Sequence, residues 1–130
     1  MDLILVLDTN AYSDWRRSGR WHGRIATADR VVMPVIVLGE LLHGFRKGKL
    51  PEKNLRMLHA FLKEPQVAVM PVTHRSAEIY SEFLLHLQIQ GTPIPTNDIW
   101  IAAMTHECRG ELATRDAHFA TLPLVDLAAE

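Results

Sequence analysis

Four acidic side chains sit in surroundings that give an acid little reason to be there. Asp8 directly follows the apolar run Leu3 to Leu7, and Glu40 interrupts the apolar stretch 35–42. Asp98 opens a segment that continues Ile-Trp-Ile-Ala-Ala, and Asp116 lies two residues beyond Glu-Leu-Ala-Thr. Each has a structural reading of its own. Asp8 and Asp98 can cap helices or lie favourably at a helix N-terminus, and Asp116 can hold a turn. Glu40 is harder to place that way, because a lone carboxylate within an apolar run is costly to bury without a partner. Grouped, the four repel one another and raise each other's pKa unless a cation neutralises them. Oxygen ligands without Cys or His select Mg2+ or Mn2+ rather than Zn2+. Mg2+ keeps several waters and takes few protein ligands, which leaves room for a substrate phosphate, and an ion so held can activate water against a phosphodiester. Such a group offers metal-assisted hydrolysis, with no need of a covalent nucleophile.

The elements that must position these acids read as alternating strands and helices. Leu3 to Leu7 is continuously apolar rather than alternating, which suits a strand covered on both faces of a parallel sheet. Asp8-Thr9-Asn10 supplies turn and N-cap chemistry, and the polar, basic stretch Tyr12 to Ala28 predicts one or two short helices. Val31 to Met33 predicts a second strand. Pro34 then suits the first turn of a helix in which Val35, Leu38, Leu42 and Phe45 recur at helical spacing. Further helices are expected over 52–63, from about Thr73 to Gln90, and from Asp98 to Cys108, the last capped by Thr96-Asn97. Strands are expected at Val67 to Met70 and Glu111 to Thr114, with a possible fifth at Pro123 to Val125. The alternation predicts a parallel α/β sheet with right-handed crossovers. In such sheets ligands bind beyond the carboxyl ends of the strands, where Asp8 and Asp116 fall. The sequence alone does not place Asp98 at that end.

At 130 residues the chain is expected to form one domain over 1–130, able to build a core without staples. The one cysteine, Cys108, excludes an intramolecular disulfide and reads as a buried small residue rather than a reactive thiol. The first apolar run is short, follows an acid and lacks a basic flank, so no signal peptide is expected. No stretch approaches the roughly 20 apolar residues of a membrane span, and a cytoplasmic protein is expected. The net charge of −1 conceals an asymmetry: residues 1–63 carry eleven Lys and Arg against six acids, residues 64–130 three against nine. A basic half can attract a polyanion while an acidic half holds cations.

Leu7-Asp8-Thr9-Asn10, Glu40 within Leu-Gly-Glu-Leu, the segment Asn97-Asp98-Ile99-Trp100-Ile101-Ala102-Ala103 and the segment Thr114-Arg115-Asp116-Ala117-His118-Phe119 resemble, in order and spacing, the four motifs of PIN-domain nucleases. Length and spacing are similar to those of the VapC toxins of toxin–antitoxin pairs. The resemblance spans nearly the whole chain. It implies a three-layer α/β/α PIN-like fold with a central, mainly parallel sheet of four or five strands, and endonucleolytic cleavage of RNA with Mg2+ or Mn2+. Carried over by motif, Asp8 and Asp98 are expected as principal metal ligands, and Asp116 as a further ligand, through water or directly. Glu40 is expected to orient water or complete a second site. Asn10 and Thr114 sit where polar supports of the cluster are expected. The resemblance also implies a cognate antitoxin laid across the acids and a homodimer. The segment from Trp15 to Arg24 is not accounted for by the motifs, and substrate choice is expected there.

Arg16, Arg17, Arg20, Arg24, Arg46 and Lys47, with Lys49, are candidate contacts to RNA phosphates, against a reading as solvated charges. Trp15 and Trp21 can stack on unpaired bases, but packing is the preferred reading. His118 reads first as a surface or core histidine and second as a group near the substrate. Two other functions compete. A phosphohydrolase of the haloacid dehalogenase type needs an Asp two residues after the first, where this chain has Asn10. A non-catalytic module binding RNA or protein uses the fold without the acids' chemistry.

Overall fold

The apolar run near the N-terminus becomes a central strand whose side chains Leu5, Val6 and Leu7 are buried. In the computed structural model, which describes residues 2–130, strand β1 (Ile4–Leu7) pairs in parallel with β2 (Arg30–Pro34) on one side and β4 (Glu111–Ala113) on the other. β3 (Val67–Met70) extends the sheet beyond β2, and β5 (Asp126–Leu127) extends it beyond β4. The sheet therefore has five strands in the order β3-β2-β1-β4-β5, all parallel. A strand covered by helices on both faces has no solvent side for polar residues, which is why the run is continuous.

Six helices flank the sheet: α1 (Thr9–Ser18), α2 (His22–Thr27), α3 (Val35–Lys47), α4 (Pro51–Leu62), α5 (His74–Gln90) and α6 (Thr96–Glu107). From β1 the chain steps to β2 and then β3 in one direction, and crosses back over α5 and α6 to β4 on the other side of β1. Right-handed crossovers then put α1 to α4 on one face and α5 with α6 on the opposite face. The reversal of direction makes the carboxyl ends of β1 and β4 the switch point, where adjacent crossovers diverge and leave a crevice. β4 docks closely on β1: a Cβ at Gly110 would stand 2.8 Å from Val6 Cγ2, so the entry to β4 requires glycine.

Local chemistry sets the helix starts. Asp8 caps α1, its Oδ1 accepting from Ala11 N at 2.6 Å. Thr73 and Ser76 form a reciprocal capping box at the head of α5. The sequence reading of α6 needs correction, since the helix begins at Thr96 and ends at Glu107, with Pro95 as its uncapped N-terminal flank. The extended conformation of Pro95 (φ −57°, ψ 144°) launches the helix directly, so Asp98 lies in its first turn without heading it. Pro34 likewise closes β2 and precedes α3 instead of entering its first turn. The fifth strand lies at Asp126–Leu127, beyond the expected Pro123 to Val125, because Val125 N is spent on a turn to Leu122 O.

Candidate active site

Asp8 and Asp116 follow the carboxyl ends of adjacent strands, β1 and β4. The third acid joins them through topology. A helix that feeds a parallel strand runs back across the sheet to the edge where that strand starts, so the head of α6 stands at the carboxyl edge, where β4 will end. Glu40 arrives by the shortest route, on the second turn of a helix that springs from the carboxyl end of β2. Asp8, Asp98 and Asp116 lie close enough to repel one another, and Glu40 is close enough to act on Asp98. All three aspartates also sit in the first turn or at the cap of a helix or 3-10 turn, where backbone N–H groups favour negative charge.

Hydrogen bonds fix these carboxylates individually. The Thr114 hydroxyl accepts from Asp116 N at 3.0 Å and lies beside Asp8, linking the two strand ends. Asp116 Oδ1 accepts from His118 N at 2.9 Å, which starts a 3-10 turn over Ala117–Thr121. That turn brings His118 Nδ1 to 3.1 Å from Asp116 Oδ1 and 3.4 Å from Asp98 Oδ2. Glu40 is held from two sides: Thr9 Oγ1 donates to Oε1 at 2.6 Å, and Asn97 Nδ2 stands 3.4 Å from Oε2. A cleft lined by Thr9, Gly39, Glu40, His43, Lys47 and Asn97 runs along α3 from this point.

Burial shapes the electrostatics. Asp8 is pushed up to about 6, first by desolvation and further by the charges of Asp98 and Asp116, against the pull of the Thr114 hydroxyl and Ala11 N–H. Asp98 is also raised, again chiefly by burial, with Asp116 and Glu40 adding to it and His118 opposing. Carboxylates pressed together at the cost of raised pKa values leave negative charge to be neutralised. The donor set, mainly carboxylate oxygen, suits a hard divalent cation such as Mg2+ or Mn2+.

The other residues singled out in the sequence are placed unequally. Thr114 lies within the cluster, whereas Asn10 is exposed on α1 and it is its neighbour Thr9 that reaches Glu40. Lys47 lines the cleft beside Glu40, and Arg46 is exposed in the same last turn of α3. Arg16 and Arg17 border a pocket with Tyr12, Ser13 and Lys53 one to two turns along α1 from Asp8. The Arg16 guanidinium lies 4.0 Å from the centre of the Trp15 ring. Arg20 and Arg24 are not brought to the acids. Arg20 pairs with Glu130, and Arg24 meets Glu111, which begins β4, at 2.8 Å. Trp21 is buried, and Trp15 packs on Phe61 with ring centres 4.9 Å apart.

Sequence reasoning missed Thr9, Asn97, the position of His118 and an ion pair on a buried aspartate. Asp14 is buried in α1 and accepts from Arg115 Nε and Nη2, at 3.0 and 2.8 Å, and from Arg17 Nη2 at 2.8 Å. Its spacing to Arg17 was visible in the chain, but Arg115 lies 101 residues away. The pair ties α1, which Asp8 caps, to the segment that carries Asp116.

Comparison with known proteins adds four observations. The profile of the PIN domain matches residues 5–124. The chain is 28% identical over 117 residues to Ribonuclease VapC5 of Mycobacterium tuberculosis strain H37Rv, covering 90% of this chain and 86% of that protein. Among solved structures it is similar to VapBC-1 from nontypeable Haemophilus influenzae, with a TM-score of 0.87 at 24% identity over 97% of each chain. It is also similar to VapBC-5 from Mycobacterium tuberculosis, with a TM-score of 0.74 at 25% identity over 95% of this chain and 96% of that one.

Proposed function

This chain belongs to the PIN-domain family, and from that premise we propose that it is a cytoplasmic, metal-dependent endoribonuclease, the toxin component of a toxin–antitoxin pair. The observation that supports this reading most is the convergence of Asp8, Asp98 and Asp116, with Glu40 beside them, on the switch-point edge of the sheet. A Mg2+ or Mn2+ ion bound by these aspartates supplies Lewis acidity, both for an attacking water and for the charge that builds on the scissile phosphodiester. Asp8 and Asp98 act as principal ligands and Asp116 as a further one, while Thr114 keeps Asp8 and Asp116 in register. Glu40, its Oε1 held by Thr9, presents Oε2 to orient a water and receive its proton. Lys47 and Arg46, at the end of the cleft, and Arg16, Arg17 and Lys53, in the pocket along α1, take the phosphates of the strand on either side. Arg20 and Arg24 are left out of this role, since Glu130 and Glu111 engage them towards the amino end of β4, away from the acids.

The partner is an antitoxin that lays a basic segment over the carboxylates, and the chain works as a homodimer. The neighbouring structures named for VapBC pairs support this assignment by their fold.

Purified protein incubated with a total cellular RNA pool and Mg2+ or Mn2+ is the test. Discrete cuts are expected, lost on chelation and reduced by at least about 100-fold in Asp98→Asn, as for removal of a group that stabilises developing charge. Cuts that persist in Asp98→Asn or in chelator would overturn the assignment.

A further inference from the structure

His118 occupies a position that the four acids do not explain. Asp116 turns the chain by accepting from His118 N, and the turn folds the imidazole back over the carboxylates. Nδ1 then lies 3.1 Å from Asp116 Oδ1 and 3.4 Å from Asp98 Oδ2, and one donor atom from each residue falls within 4.8 Å of the others. Neighbouring ligands around a six-coordinate cation, each at roughly 2.1 Å from it, stand about 3 Å apart. The Nδ1–oxygen separations are close to that edge length. The ring is half exposed, and Nδ1 faces these two carboxylates.

We propose that His118 is a direct nitrogen ligand of the cation that Asp98 and Asp116 hold, and that it biases the site towards Mn2+ over Mg2+. The inference rests on the proposed metal-dependent reading and adds to it a donor of a different kind. Mg2+ is satisfied by carboxylate and water oxygen and gains little from imidazole, whereas Mn2+ accepts nitrogen more readily and tolerates less regular geometry. An all-carboxylate set discriminates weakly between the two ions; replacing one oxygen by Nδ1 introduces the preference.

The competing account of the same distances is an ion pair, in which His118 only offsets the charge of the aspartates. The two accounts predict opposite signs. If His118 is a ligand, His118→Ala weakens Mn2+ binding by about tenfold and leaves Mg2+ binding nearly unchanged, so the Mn2+ preference falls by the same factor. If it is a counter-charge, its removal strengthens binding of both ions alike.

Isothermal titration of the intact chain and His118→Ala with each ion reads that sign. Electron spin-echo spectroscopy of Mn2+ bound to the unmodified chain reads the donor directly and needs no variant to fold. A nitrogen modulation in the native chain that disappears in His118→Ala is expected. Mn2+ binding without nitrogen modulation, or stronger binding of both ions by His118→Ala, would overturn the ligand assignment while the carboxylate site stands. Failure of the native chain to bind either ion would overturn it together with the metal-dependent reading.

Discussion

Asp8 serves at once as a helix cap and as a member of a charge cluster, and the two duties pull its proton in opposite directions. Ala11 N–H and the Thr114 hydroxyl favour the carboxylate; burial and two neighbouring aspartates favour the acid, and the balance leaves it at about 6. An unfolded chain releases the same proton near pH 3.9. Between those values the folded state binds more protons, so stability is greatest below the unfolded value and falls as pH rises through 6. The loss reaches about 3 kcal/mol. About half of that loss has already occurred at pH 5, so cation-free protein should melt at a lower temperature at pH 7.5 than at pH 5 by roughly 5 °C, followed by circular dichroism. Asp8→Asn, which retains a good cap, should flatten that dependence. Saturating Mn2+ should restore stability at the higher pH. The acids could be read from the sequence because each disturbs an apolar context, a local property. Their polar partners could not. Whether Thr9 or Asn10 turns towards Glu40 depends on the residue at which α1 starts, and consecutive helical side chains point about 100° apart.

At the level of elements, β1 and the crossovers were legible from continuous apolar runs and helical spacing. What escaped was anything set by packing between distant segments. The convergence of Asp98 with Asp8 needs the head of α6 at the carboxyl edge, which no local pattern encodes. The Asp14–Arg115 pair is of the same kind, joining α1 to the segment after β4 across 101 residues. Asp14 is 6% exposed at its side chain whereas Arg115 is 51% exposed, so the two partners are not equivalent on removal. Arg115→Ala leaves a buried carboxylate with Arg17 alone and should destabilise the fold by about 1–2 kcal/mol, between the exposed and fully buried cases. Asp14→Asn leaves two solvated arginines and should be milder. A double-mutant cycle by urea denaturation checks this, and additive losses would show that the pair does not couple the two elements.

For the whole molecule, the fold distributes the basic half selectively. Lys47 and Lys53 border the cleft and pocket that flank the acids, while Arg24 is drawn to the opposite end of β4. Measured with cleavage-deficient Asp98→Asn against RNA, the slope of log affinity on log salt should flatten by about one for each of Lys47→Ala and Lys53→Ala. Arg24→Ala should leave the slope unchanged. The same topology divides the four acids by chain position. The exposed turn between α5 and α6, around Gly91 and Pro93, separates Asp8 and Glu40 from Asp98 and Asp116. The helices on either side pack together, with the Tyr80 and Trp100 rings stacked 4.1 Å apart. A chain severed at that turn yields two fragments, each holding half the carboxylates and one face of a ready-made seam. This gives the molecule the layout of a split enzyme, in which catalysis reports the reunion of its pieces.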